Sequence, residues 1–361
     1  DEVKIPGDLT VTGTLNANLP LSNAYIHNTT SQQAMSNFNI SGNGTVGGTI
    51  TGGVVNASTQ FDLGGSGRIL TQLVENLFVG IGTGPNNTGI QNTFVGRDAG
   101  FSNTSGNFNS FFGRHAGNAN TSGSGNSLFG GDAGRSITTE SNNSFFGVGA
   151  GTDNTASNNS FFGRSAGNFN TTGTENSFFG YQAGQFTNTG SVNSFFGFNA
   201  GRLNTTGINN AFFGKDAGGN NNGVGNSFFG TFAGSTNTTG GWNTFVGVGA
   251  GQLNGQENQN TFIGAFAVAN PGISNSSAIG YRAQVLQSNS LVLGSINGIN
   301  GADASVNVGI GTTTPSERLH VVGNSLLAGG LTVNGVITLS TLGGPGLVPL
   351  CYNLLSQIAQ C

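Results

Sequence analysis

NSFFGRSAGNFNTTGTENSFFGYQAG, residues 159–184, contains the unit that decides the fold. N-S-F-F-G-x-x-A-G occurs at 159–167 and again at 176–184. NTFVGRDAG (92–100) and NTFVGVGAG (243–251) are further copies. The general form is N-[ST]-F-[FVI]-G-x-x-A-G-x-x-N-T-[TS]-G-x-x. Its first glycine recurs at Gly80, Gly96, Gly113, Gly130, Gly147, Gly163, Gly180, Gly197, Gly214, Gly230, Gly247, Gly264, Gly280 and Gly294. Successive gaps are 16 or 17 residues, and the last is 14. Such a period is too short for two packed helices. It suits one turn of a β-solenoid, with two short strands and two corners per coil. The Gly, Asn and Thr content disfavours helix throughout. Stacked at a strand spacing of about 4.8 Å, the coils predict a rod of roughly 60 Å.

Neighbouring side chains of a strand point to opposite faces, so the two Phe residues of N-S-F-F-G cannot share one. Phe111, Phe145, Phe161, Phe178, Phe195, Phe212 and Phe228 form one ladder. Phe112, Phe146, Phe162, Phe179, Phe196, Phe213 and Phe229 form the other, which also accepts Val95, Val246, Ile263 and Ile279. One ladder fills the coil; the spacing does not say which. The other is a large apolar stripe that soluble monomers rarely expose. It predicts self-association along the long axis, closed by cyclic symmetry. The number of chains does not follow from this argument.

Ala116, Ala166, Ala183, Ala217 and Ala233 read as small residues inside a narrow coil, each followed by a positive-φ glycine at a corner. The N-T-T-G segments Asn170–Gly173 and Asn204–Gly207 read as the second corner, with Asn and Thr bonding the backbone locally.

Composition narrows the function classes. Gly is 65 of 361 residues, Phe is 28 and charged residues are 7%, against about 25% charged in an ordinary domain. Regularly spaced Phe argues against disorder, and the Gly spacing excludes collagen. The net charge is −4 and the 10 basic residues are scattered, which excludes the clustered basic surface of a nucleic-acid binder. No apolar run reaches the length of a membrane span. The chain begins DEVKIPGDLTV without a signal peptide, and a removed one would leave no trace. The low Lys and high Asn, Thr and Gly content fit an extracellular or cell-surface protein.

NSSAIGYRAQVLQSNSLVLG (275–294) resembles the 14-residue repeat of YadA-type heads of trimeric autotransporter adhesins. That family's heads are left-handed parallel β-rolls of three chains around one axis. The longer N-S-F-F-G units resemble an extended version of the same coil, so the resemblance spans about residues 76–294 and implies a homotrimer. VNVGIGTTTPSERLHVVGN (306–324) and the segments after it, LTVNGVITLSTLGG and LCYNLLSQIAQC (350–361), resemble the stem of phage-tail-fibre-like bacterial surface proteins. In that family a self-cleaving intramolecular chaperone follows the stem. The sequence stops at Cys361, where such a chaperone would begin. The resemblance therefore implies a mature, processed chain, although an engineered truncation would read identically.

The expected organisation is an N-terminal β-stem over 1–75, a repeat β-roll over 76–295 and a C-terminal stem over 296–361. GDLTVTGTLNA (7–17) alternates like a half-buried strand and echoes GGLTVNGVITLS (329–340). Matching ends suggest intertwined stems that meet head-to-tail. Cys351 and Cys361 are about 15 Å apart if helical, too far for a bond. On a hairpin turning near Asn353–Gln357 they face each other. An intrachain disulfide, an interchain disulfide and free thiols all stay open, with the first preferred in an oxidising compartment.

Other residues yield no chemistry. His115 sits at a variable repeat position and His320 in the stem, and no Ser/His/Asp or Cys/His constellation emerges. VGVGAG (246–251) has no βαβ context for a dinucleotide. Asp98, Asp132 and Asp216 share one repeat position and read as polar corners. No metal or cofactor is expected. Sequons begin at Asn28, Asn43, Asn103, Asn170, Asn204 and Asn237, so glycosylation is an open expectation. The leading reading is an all-β structural subunit of an extracellular trimeric fibre, not an enzyme. The rival is an adhesin or phage receptor-binding fibre contacting a surface glycan, with Tyr181, Phe198, Phe232 and Trp242 as its aromatics. A depolymerising enzyme would need a pair of acidic residues on one coil face, and none recurs.

Overall fold

The computed structural model describes residues 75–323, positions 325 and 332, and the backbone of the strands Phe61–Asp62, Gly67–Gln72, Leu350–Tyr352 and Ile358–Gln360. Among these residues the protein is all-β without a helix. Fourteen successive strands run from Asn76–Ile81 to Leu291–Leu293 and make thirteen parallel pairings, the rungs of a β-solenoid. The register is one coil to the next without slip: Ser160 pairs with Ser177, Phe161 with Phe178 and Phe162 with Phe179. Equivalent positions of the repeat therefore stack on one another along the whole roll.

The Phe ladders divide as alternation requires. The first Phe of each pair points inward. Phe94, Phe111, Phe145, Phe161, Phe178, Phe195, Phe212, Phe228, Phe245 and Phe262 are fully buried, with Leu128 taking one rung. Neighbouring inner rings lie 4.7–4.9 Å apart and nearly parallel. The alanine three positions after each motif glycine, from Ala99 to Ala283, is buried with them. The glycine that follows this Ala, up to Ala250, is dictated twice. Gly117 has φ +56°, and a Cβ there would lie 2.5 Å from the Phe111 ring. The motif glycine is dictated by its neighbour one coil on: Gly96 has φ +132°, and a Cβ would lie 2.6 Å from the Gly113 carbonyl oxygen.

Two expectations are corrected. Most coils have one three-residue strand, not two. A second strand forms only near the end of the roll, where Val268–Ala269 pairs in parallel with Gln284–Val285. Elsewhere the other half of each coil is a stack of turns, tied coil to coil by bonds such as Gly117 N–H to Ala133 O at 3.0 Å. The second correction concerns asparagine. The Asn of N-T-T-G is core, not merely a corner: Asn103, Asn120, Asn154, Asn170, Asn204, Asn221 and Asn237 are fully buried. Asn170 Nδ2 donates to Asn154 Oδ1 at 2.6 Å and to Gly173 O at 2.7 Å.

A second Asn ladder opens each strand motif. Asn109, Asn126, Asn143, Asn159 and their equivalents are buried. Each carboxamide oxygen accepts the backbone N–H of the next Asn at 2.7–3.0 Å. Every Nδ2 of this ladder but that of Asn143 reaches across to a turn carbonyl, as Asn109 does to Gly123 at 2.8 Å. Buried amides are favourable in a narrow interior when both ends are bonded, and one-coil repetition supplies both partners for most rungs.

The ends of the roll differ. Gly67–Gln72 lies antiparallel on Asn76–Ile81, and Phe61–Asp62 lies antiparallel on Gly67–Gln72. The first parallel rung is therefore covered rather than left as a pairing edge. Past the last rung, Val308–Ile310 pairs in parallel with Leu319–Val321 as a separate sheet. Leu350–Tyr352 and Ile358–Gln360 pair antiparallel, with Cys351 opposite Ala359. The Cys351–Cys361 pairing itself, and the stem readings of residues 1–60 and 326–349, lie outside the described residues.

Candidate functional site: the outer aromatic seam

The second Phe of each pair points out of the coil. Phe112, Phe129, Phe146, Phe162, Phe179, Phe196 and Phe213 are half-buried, and Phe229 is 40% exposed. Their rings stack at 4.6–4.9 Å with interplanar angles of 2–7°. Face-to-face stacking hides the faces of the rings and leaves the edges outward, which is why these Phe are not fully exposed. Val246, Ile263, Ile279 and Leu293 continue the column, 36–47% exposed. The seam is apolar from Phe112 onward, and no charged residue interrupts it.

Past the seam lies a column of residues in left-handed backbone, each two positions after the motif glycine. Asp98, His115, Asp132, Ser165, Gln182, Asn199, Asp216 and Phe232 have φ of 54–60°. His115, expected as a solvated corner, is held between two carboxylates. Its Nδ1 lies 3.1 Å from Asp132 Oδ1 and its Nε2 lies 3.6 Å from Asp98 Oδ2. Arg97 Nε donates to Asp98 Oδ2 at 3.2 Å, and Arg114 Nη2 lies 3.7 Å from Asp132 Oδ2. No group of three or more His, Cys, Asp or Glu among the described residues is placed to hold a metal ion. His320 lies on Leu319–Val321, where its Nδ1 accepts the Ser316 N–H at 3.3 Å. The glycines of VGVGAG are corner glycines, with Gly247, Gly249 and Gly251 at positive φ and Ala250 buried between them.

The named aromatics lie at the surface of the single chain. Tyr181 is 39%, Phe198 46%, Phe232 42% and Trp242 65% exposed. Tyr181 stacks on Phe198 at 5.2 Å, and Lys215 Nζ lies 5.9 Å from the Phe198 ring and 5.5 Å from the Phe232 ring. Trp242 lies over Gly225, where a Cβ would come within 2.7 Å of the indole. The sequons fare differently. Asn103, Asn170, Asn204 and Asn237 are fully buried rungs, so the folded coil withholds their amides from modification. Asn28 and Asn43 lie outside the described residues.

Glu257 is a polar feature that sequence reading missed. Burial alone would raise its carboxyl, but the backbone N–H groups of Gly272, Glu257, Gly255 and Gln256 outweigh burial and hold it below its ordinary value. Gly255 and Gly272 each donate to it at 2.6 Å. The signal is absent from the sequence, because those donors belong to two different coils. The Asn ladders were legible in principle, since both asparagines recur in nearly every copy of the repeat.

No protein-family model matches the chain, and no curated protein matches it.

Proposed function

We propose that the protein is a structural subunit of an extracellular trimeric fibre, acting mechanically and not as an enzyme. The outer seam carries this reading. A column of stacked Phe edges running into Val246, Ile263 and Ile279 is a continuous apolar surface with one-coil spacing. A second copy of the same roll presents the same spacing, so a symmetric assembly buries the seam without misregister. The YadA-like repeat at 275–294 supports three chains as the number. Stacked backbone bonds, buried Phe rings and amide ladders suit a stiff, protease-resistant rod. The weakly charged Asn/Thr/Gly corners suit a hydrated outer surface. The echo between GDLTVTGTLNA and GGLTVNGVITLS supports head-to-tail extension through the stems.

Sedimentation equilibrium and negative-stain micrographs of the full chain test the proposal. The expected result is a mass three times the 36.4 kDa of one chain, in rod-shaped particles that join end to end. A one-chain mass overturns the trimer, and compact particles overturn the fibre.

A further inference from the structure

We propose that a groove centred on Gly219 binds one acidic sugar residue, a pyranose carrying a carboxylate. Gly219 follows the buried Ala-Gly pair, in the column of Gln185, Arg202 and Ser235. The fold does not require a glycine there. Its φ lies outside the left-handed region, and a Cβ would meet only the Asp216 carbonyl oxygen, at 3.5 Å. Gly219 lines a groove of about 360 Å³. Its walls include Phe232, Arg202, Asp216, Asn220, Ser235 and Thr236, one aromatic surface facing a set of hydrogen-bonding groups, the composition of a small-ligand site.

The polar groups are arranged rather than scattered. Arg202 is held by its Nε bond to Gln185 Oε1 at 3.1 Å and by the Phe186 ring at 5.3 Å. Its terminal nitrogens make no hydrogen bond among the described residues, so the fork that suits a carboxylate is unspent. Asn199 also lines the groove. Its Nδ2 donates to Asp216 Oδ1 at 3.0 Å, while its buried Oδ1 has no partner. Lys215 lies 4.0 Å from Asp216 and beside the Phe232 ring. Lys215 lies outside the groove and offsets the Asp216 carboxylate, so the charge of Arg202 is left to favour an acidic over a neutral sugar. Phe232 offers its ring to the C–H groups of the pyranose.

The site is independent of the seam. Its residues come from the corner and turn half of the coil, and neither Phe213 nor Phe229 of the outer ladder lines it. Saturation-transfer NMR on the full chain tests it, with D-glucuronate and D-glucose as probes. The expected result is transfer to glucuronate several-fold stronger than to glucose. Gly219→Gln fills the groove with the side chain its column already carries at Gln185, and Arg202→Gln removes the carboxylate fork. Each is expected to weaken glucuronate binding at least tenfold with an unchanged thermal melt. Phe232→Asn, which places in that column the residue found at Asn199, is expected to do the same. Glucuronate binding that survives Gly219→Gln in the folded protein, equal transfer to both sugars, or transfer to neither overturns the proposal. Sedimentation of the same samples keeps this result separate from the trimer.

Discussion

Thr187 sits where the inner amide ladder has an Asn in most coils, between Asn170 and Asn204. It is fully buried, and its hydroxyl has no partner. Neither end of the Asn204 carboxamide is bonded, and Asn221 turns its Nδ2 away toward Asn237 at 2.8 Å. Ile137 breaks the same column and leaves Asn120 Oδ1 without a donor. Thr187→Asn restores the rung. A buried polar group left without a partner costs about 1–3 kcal/mol, so the variant should be more stable by about that amount in chemical denaturation. Glu257 makes a second residue-scale test. Its carboxyl is depressed in the folded state, so its contribution is present above the unfolded value of about 4.3. The contribution is lost as pH falls through the lower folded value. Glu257→Gln should therefore lower the melting temperature at pH 7, and the difference should shrink in the acid range below pH of about 4. The sequence made the Phe, Ala and Gly positions legible because each has one physical role fixed by size or φ. It showed that the asparagines recur but not that they are buried, because a buried Asn and a corner Asn look alike until the coil closes around them.

A single coil has only a three-residue strand, too short to stand alone, and depends on neighbours in register above and below. The two Phe of that strand have opposite fates. Phe178 is fully buried between Phe161 and Phe195. Phe179 is half-buried between Phe162 and Phe196. Phe178→Ala should destabilise the chain by about 3–5 kcal/mol, as for other core aromatics. Phe179→Ala should cost the isolated chain less, because its ring edge already meets water, and should act mainly on association. Equilibrium unfolding with and without dilution below the assembly threshold separates the two effects. Alternation alone told the sequence reader that the rings part company. Which ring goes inside depends on the Ala-Gly corner, where the glycine must pass against the inner ring, and that contact exists only in three dimensions. The expected second strand failed for a related reason: turn-to-turn bonds and amide ladders do its work over most of the roll.

At the scale of the whole roll, the in-register ladders make a rod whose inner surface is complete and whose outer seam is not. The inner Phe column and most rungs of the Asn columns satisfy themselves within one chain. The outer Phe column does so only through its ring faces, and its edges stay available to another copy. The antiparallel cover of Gly67–Gln72 closes the first rung's edge to further strand pairing. The sequence carried the two-faced ladder through its adjacent Phe pair. The most direct test is the assembly mass of the full chain against that of the Phe179→Asp/Phe196→Asp variant. The account predicts three chains of 36.4 kDa for the parent, and a single chain with unchanged β circular dichroism for the variant. A variant that still assembles as three chains, or a parent that sediments as one, would contradict it.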